Sequence, residues 1–326
     1  MRNEKVTVVI PNYNGMKYIR DCLDALRALK RESTFHIIMV DNGSEDGSLE
    51  VIYREYPEVE VIALAENTGF CRAVNIGIKA TKSPYVLLLN NDTVVQPGFV
   101  RALTETMESS KDIFSVSSMM LTMQDPTLID DAGDRYCVLG WAYARGKGKK
   151  AVGFEKSTEV FAACGGASLY RRAVFEEIGF FDENHFAYLE DLDIGYRARI
   201  FGYRNVYEPK AKVIHAGSAT SGSRYNEFKT KLASANNAYL IGKNMPFLQL
   251  LINFPFLLLG FFIKTLFFCR KKMGMLYVRG YFQGIRRCFT EEGRKHKIPF
   301  QWRNFWNYCR IQILLYIDTF RVFIKS

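Results

Sequence analysis

The run YVLLLNNDTVV, residues 85–95, joins a wholly apolar strand to three polar side chains, Asn90, Asn91 and Asp92. A strand with no polar residue on either face predicts burial in the middle of a sheet, not an alternating edge. In open α/β sheets ligands bind beyond the carboxyl ends of such strands. The stretch therefore predicts both the sheet and the edge of it that carries function.

The same pattern repeats upstream. VTVVIP reads as a strand, and Ile19, Cys22, Leu23, Leu26 and Leu29 form a helical stripe behind it. FHIIMVD is the next strand and SLEVIYREY a helix; VEVIAL is a strand and GFCRAVNIGIKA a helix; YVLLLN closes the series. Strands alternating with helices predict a mostly parallel central sheet flanked by helices. Polar clusters fall at its strand ends: 12–14, 41–46, Asn67 and 90–92. TVVQPGF after Asp92 is expected to start another helix. The first strand leads into NYNG, with no GxGxxG, which counts against a nicotinamide-dependent oxidoreductase.

Farther along, YARGKGKKAVGFEK (143–156) and GSATSGSR (217–224) read as mobile loops. Gly165–Gly166 lead to a helix near Arg172, and EPKAKVIHAGS puts His215 at a strand end. The net charge of +10 suggests nucleic acid until it is located. Residues 1–244 hold 30 Lys and Arg against 31 Asp and Glu, whereas residues 245–326 hold 14 against 3. The basic region coincides with MPFLQLLINFPFLLLGFFIKTLFFC, the most apolar run, which favours an anionic membrane surface and no nucleic acid.

That run is about long enough to span a bilayer. A single crossing would place ten Lys and Arg of residues 270–304 on the far side, against the positive-inside rule. An interfacial or re-entrant helix with both flanks in the cytosol is preferred, with spanning, or a buried core or oligomer contact, as alternatives. Seven scattered cysteines without a CxxC pair suggest reduced thiols, and no signal peptide precedes the first strand. The expected organisation is a catalytic domain, 1–244, and a helical membrane-associated segment, 245–326, at the cytoplasmic face of the membrane.

Several residues are suited to chemistry, each with a structural alternative. Asp92 either accepts turn N–H groups or holds Mg²⁺ or Mn²⁺, which favour carboxylate oxygen. His215 is either a satisfied structural histidine or a further metal ligand. Glu190, Asp191 and Asp193 either cap a helix or include a general base for an acceptor hydroxyl. Asp41, in VDNGSEDGS, either makes an Asx turn or accepts a nucleobase imide N–H, with Tyr13 of PNYNG beside the same base.

In this order, VVIPNYNG, VDNGSEDGS, ENTGFCRAVNIGI, LLLNNDTVVQPGF, CGGASLYRRAVFEEIGFFDE, YLEDLDIGYRARIFGY and VIHAGS resemble the family 2 glycosyltransferases, most of all their bacterial rhamnosyltransferase-like branch. The resemblance covers residues 5–244. It implies a GT-A fold, a nucleotide-diphospho-sugar donor such as a UDP- or dTDP-sugar, a divalent cation and inverting transfer. Carried over, Pro11, Tyr13, Asp41 and Asn67 would line the base and ribose pocket, and Asn91 and Asp92 would end the DxD-type motif. Asp92 and His215 would hold the metal, Asp191 would be the catalytic base, and Glu190, Gly165 and Gly166 would meet the acceptor. Asn90 stands where the first acid of a DxD motif would be. The implied activity is transfer to a glycan or lipid-linked acceptor in cell-surface polysaccharide assembly. The alternative is an inactive nucleotide-sugar-binding partner in a membrane complex.

Overall fold

The computed structural model describes residues 4–217 and 226–324, so most of the predicted loop at 217–224 lies outside the described residues. The first half of the chain runs β1 (Val6–Asn12), α1 (Ile19–Leu29), β2 (His36–Asp41), α2 (Ser48–Glu55), β3 (Glu60–Ala63), α3 (Phe70–Ala80), β4 (Tyr85–Leu89), β5 (Thr93–Val95), α4 (Phe99–Glu108) and β6 (Ile113–Thr122). The middle adds β7 (Ile129–Asp131), β8 (Asp134–Tyr136), β9 (Ala142–Ala144), β10 (Thr158–Val160), β11 (Ala167–Arg171), α5 (Arg172–Ile178), α6 (Glu190–Ile200) and β12 (Arg204–His215). The end is helical: α7 (Glu227–Asn244), α8 (Phe247–Arg270), α9 (Gly274–Arg287), α10 (Glu291–Lys295) and α11 (Phe305–Ile324).

The main sheet has the order β10-β12-β6-β11-β4-β1-β2-β3. Strands β3, β2, β1 and β4 are parallel, as the alternation predicts. Beyond them β11 runs antiparallel to both β4 and β6, and β12 is parallel to β6. Period-two burial accounts for both layers. Val8, Ile10, Leu87 and Leu89 join the core under α1, α2 and α4, whereas Val9, Val86 and Leu88 join the one under α3, α5 and α6.

Two local expectations change. Thr93–Val95 is a short strand before the helix, because it pairs antiparallel with the end of β12. Ala142–Ala144, which overlaps the start of the Gly- and Lys-rich segment, hairpins onto β8, so the first residues of the expected loop are ordered by pairing.

A third core, containing Tyr136, Leu192, Tyr196, Leu240, Leu257, Ile311 and Leu315, fixes the C-terminal helices to α6 and β8. Helix α8 turns Gln249, Asn253, Leu257 and Gly260 inward. Gln249 accepts a hydrogen bond from the Tyr196 hydroxyl (2.9 Å), and Trp141 Nε1 donates to the Gly260 carbonyl (3.1 Å). Its other faces leave Phe247, Leu251, Phe254, Leu259, Phe262 and Leu266 more than half exposed. With 24 residues and a mean hydropathy of 2.0 in its most apolar window, α8 is apolar enough to associate with a membrane.

Candidate active site

Strand register brings the predicted residues to one edge of the sheet. Asn12 ends β1 opposite Asp41 at the end of β2. His215 ends β12 opposite Thr93, so that its ring lies beside Asp92, and the Ala216 N–H donates to the Asp92 carbonyl (3.0 Å).

Asn12 is fully buried and ties the edge together. Its Nδ2 donates to Asp41 Oδ1 (2.7 Å) and Ser48 Oγ (3.0 Å), while its Oδ1 accepts from Asn91 Nδ2 (2.7 Å). A Cβ on Gly15 would collide with that amide pair, so only glycine fits there. Asp41 also accepts from Ser44 Oγ (2.7 Å) and Ser44 N (3.0 Å). Three of a carboxylate's roughly four lone-pair directions are thereby used, leaving about one for a ligand. Tyr13 and Pro11 are half-buried beside it, and Asn67 is exposed. Asn67 Oδ1 accepts from Asn42 Nδ2 (3.0 Å) and Gly69 N (3.0 Å), which fixes the turn into α3.

At the other end of the edge, His215 Nε2 lies 3.3 Å from Asp92 Oδ1, and its Nδ1 lies 2.7 Å from Asp130 Oδ2. Lys147 Nζ pairs with the second oxygen of Asp130 at 2.6 Å. Burial opposes charge on His215, but hydrogen bonds to Asp130 and Asp92 outweigh it and raise the pKa to about 9. Burial likewise opposes ionisation of Asp130, yet His215 and Lys147 hold it down at about 2. A carboxylate on Nδ1 is the arrangement that orients a metal-binding histidine. A divalent cation fits between Asp92 and His215 Nε2, since it would replace the Nε2 proton and leave Nδ1–H on Asp130. Among the described residues no group of three or more His, Cys, Asp or Glu could hold a metal, so donor phosphate would have to complete the shell.

The acidic cluster divides. Asp193 is fully buried and bonded to Arg197, Lys243 and Asn244, which makes it structural. Asp191 points the other way: its Oδ2 accepts from Gly165 N (3.3 Å) and its Oδ1 from Leu192 N (2.7 Å). Burial raises the Asp191 pKa against the pull of those two N–H groups, which makes it a better base. Glu190 is buried with Oε2 unpartnered among the described residues. Burial and the neighbouring Asp191 charge push it up to about 8, so it is largely protonated at neutral pH.

The glycine pair links the two ends. Asn90 N donates to the Gly166 carbonyl (2.8 Å), and Gly165 lies against Asp191. A Cβ at Gly165 would come no closer than 3.4 Å to its neighbours, so packing alone does not demand glycine there.

Two contributors escape sequence reasoning. Asp130 was signalled only by the acids of DDAGD at 130–134. Asn236, on α7, donates from Nδ2 to the carbonyls of His185 (2.8 Å), Ala187 (2.9 Å) and Tyr188 (2.9 Å). The loop it holds leads into α6, and Phe186, Tyr188 and Leu189 there have φ of 59°, 72° and 66°. Such conformations cost about 1–3 kcal/mol each and persist only where the surroundings impose them. Arg287 of α9 donates to both Asn236 Oδ1 (2.9 Å) and the Asn184 carbonyl (2.6 Å).

The family model for Glycosyl transferase family 2 matches residues 7–179, more than half of the chain. An N-acetylglucosaminyl-diphospho-decaprenol L-rhamnosyltransferase of Mycobacterium tuberculosis (strain CDC 1551 / Oshkosh) is 28% identical over 239 residues, covering 66% of this chain and 77% of its own. The structure of S. aureus TarS 1–349 in complex with UDP-GlcNAc aligns with a TM-score of 0.59 and 17% identity, over 87% of this chain and 82% of that one. The mannosyltransferase PcManGT of Pyrobaculum calidifontis, in complex with GDP-Man and Mn²⁺, aligns with a TM-score of 0.54 and 12% identity, over 97% and 86%. At these identities the structural likeness speaks for the fold alone.

Proposed function

Because the chain belongs to glycosyl transferase family 2, and is therefore a glycosyltransferase, we propose that it moves a sugar from a UDP- or dTDP-sugar, with inversion, to a hydroxyl of a lipid-linked glycan acceptor at the cytoplasmic face of a membrane. The observation that carries this reading is the convergence of Asp41, Asp92 and Asp191 on one sheet edge, joined through Asn12 and Gly165–Gly166.

In this reading Asp41 and Tyr13 receive the nucleobase, with Pro11 and Asn67 beside the ribose. Asp92 and His215 hold Mg²⁺ or Mn²⁺, with Asn91 next to the diphosphate. The cation, when bound, offsets the charge that grows on the leaving diphosphate. Asp191 takes the proton of the acceptor hydroxyl as its oxygen attacks the anomeric carbon from the side opposite the diphosphate. Gly165 and Gly166 leave room for that acceptor, and neutral Glu190 can donate a hydrogen bond to it. Direct displacement by one oxygen inverts the centre without a sugar–enzyme bond.

The M. tuberculosis relative, by its name, adds L-rhamnose to N-acetylglucosaminyl-diphospho-decaprenol, so rhamnose is the first donor sugar to try. Residues 245–326 form the membrane-associated part in this proposal, supported by the outward apolar faces of α8 and the charge of the segment. The decisive experiment screens UDP-, dTDP- and GDP-sugars for metal-dependent cleavage. Cleavage of one donor, lost in chelator and restored by Mn²⁺ or Mg²⁺, is expected. A full-length protein that binds a donor yet cleaves none with any acceptor would leave the inactive-partner reading.

A further inference from the structure

Outward apolar stripes are not confined to α8. Helix α9 and the turn after it expose Met275, Phe282 and Phe289, and α11 exposes Trp306, Ile313 and Phe320, each by more than half. Seven residues separate the members of each set, so each lies on one face of its helix. The three helices form one layer. Along one side of α8, Tyr277 of α9 stacks on Phe268 with ring centroids 5.0 Å apart, and Tyr281 meets Phe261 at 4.7 Å. Along the other side, Gln312 of α11 bonds to Asn253 and Tyr316 meets Phe256 at 6.0 Å.

The inner face of every helix in this layer is fixed to the catalytic domain. A Cβ at Gly280 or Gly284 of α9 would run into the α7 backbone at Lys231 or Ala235, and one at Gly260 of α8 into the Leu139 carbonyl. On α11, buried Asp318 pairs with Arg135 of β8 (3.2 Å), and Thr319 Oγ1 accepts from Val138 N (3.0 Å). From Gln249, bonded to Tyr196, to Phe268, packed on α9, helix α8 runs about 28 Å, close to the ~30 Å of a hydrocarbon core. A crossing α8 would draw Tyr196 and the β8–β9 hairpin into the bilayer with it, where lipid-exposed irregular backbone is not tolerated. A re-entrant α8–α9 hairpin would bury its tip, which carries exposed Arg270, Lys271 and Lys272, and charges are costly at that depth.

We propose that α8, α9 and α11 lie side by side along one leaflet of an anionic bilayer, as a single three-helix face, and that α8 does not cross. The proposal rests on the membrane-associated reading of residues 245–326 above and sets the depth and breadth of that contact. Charge selects the partner. Exposed Arg279 and Arg286 flank Phe282, and exposed Arg310 lies between Trp306 and Ile313 on the same stripe. Arginine stems lie along apolar surface while their heads reach headgroup phosphate, which suits a shallow position. Trp302 and Trp306, 80% and 73% exposed, belong to the residue type that favours the same level. A second copy docked on this face by two-fold symmetry would instead set like charges together.

Two measurements on the full-length chain test this. The first places Lys272→Cys in a Cys269→Ser background and treats inside-out membrane vesicles of a bacterial expression host with a membrane-impermeant maleimide. Labelling above that of the Cys269→Ser parent is expected without detergent; labelling that appears only in detergent would mean a crossing or re-entrant α8 and would overturn the proposal. The second measures binding to phosphatidylglycerol vesicles. Phe282→Glu, and separately the pair Ile313→Glu and Phe320→Glu, should each weaken it at least about tenfold, with the melting temperature unchanged at these exposed positions. Undiminished binding by both variants would leave α8 as the sole contact and overturn the three-helix face. A lipid-free dimer that the α11 pair dissociates, with vesicle binding intact, would give the face to a second copy and overturn it too. Failure of the underlying membrane reading is distinguishable, because the wild type itself would then not bind the vesicles.

Discussion

Helices α1 and α8 solve opposite problems. Helix α1 buries Ile19, Cys22, Leu23, Leu26 and Leu29 against the sheet and turns Arg20, Asp21 and Asp24 outward. Helix α8 buries Gln249 and Asn253 against Tyr196 and Gln312 and turns Phe, Leu and Ile outward. The first is a helix made for water on its far side. The second has an apolar far side, and covering it would contribute about 1.5–3 kcal/mol for each such side chain fully buried. In the proposed reading the sheet edge carries the chemistry and the inverted helix places it, a division that the following predictions test.

The largest effect belongs to the sheet edge. Asp191→Asn keeps the shape and removes the base, so transfer should fall by about 10²–10⁴-fold. Donor binding by calorimetry and sedimentation with vesicles should stay unchanged, because neither depends on Asp191. Substantial residual transfer would remove Asp191 as the base.

On the helical side, glutamates at Leu251, Leu259 and Leu266, all more than half exposed, should move the protein from membrane to soluble fractions. Charged residues cost about 2.5–3.5 kcal/mol each in a hydrocarbon environment, so three suffice if α8 meets lipid. Unchanged sedimentation of a folded triple variant would break the comparison. Deleting residues 245–326 is the poorer test, since Leu240 and Tyr196 share a core with Leu257, Ile311 and Leu315 and would be uncovered.

The two regions meet at Asn236. Replacing it with alanine frees three carbonyls of the loop before α6 and breaks the link to Arg287. Orphaned buried acceptors cost about 1–3 kcal/mol each, so the melting temperature should drop. The informative readout is kinetic. If the loop positions Asp191, kcat should fall roughly tenfold or more, with the donor KM little changed. A lower melting temperature with normal kcat at a permissive temperature would show that α7 only supports the fold.

What was legible in the sequence follows from distance along the chain. Strands β1 to β4 and helices α1 to α3 come from periodicity within each element, and that is local. The position of His215 was legible as a strand end, but its pairing with Thr93 is set by a strand more than a hundred residues away. Asn12 was legible only as part of the polar cluster at 12–14, and its linking role was hidden because its partners, Asp41 and Asn91, lie 29 and 79 residues on. Asp193 read as one of three equivalent acids, since its partners Lys243 and Asn244 are supplied by α7. Composition marked residues 245–326 as apolar and basic, whereas which face of α8 turns inward needed the positions of Tyr196 and Gln312.

The smallest effect concerns Glu190, which lies at the join between the edge and the helices. Its folded pKa of about 8 lies above the ordinary value of 4.5, so the folded state holds a proton that the unfolded state releases. Stability from this group is therefore full below pH 4.5 and lost as pH rises through 8. Glu190→Gln cannot ionise and should flatten that decline while keeping the hydrogen-bond donor. Chemical denaturation from pH 5 to 8.5 checks it: the variant should gain on the wild type steadily as pH rises. Parallel curves would mean that Glu190 is ionised in the folded protein. It would then compete with Asp191 for the role of base, and its charge would raise the Asp191 pKa further than burial alone does.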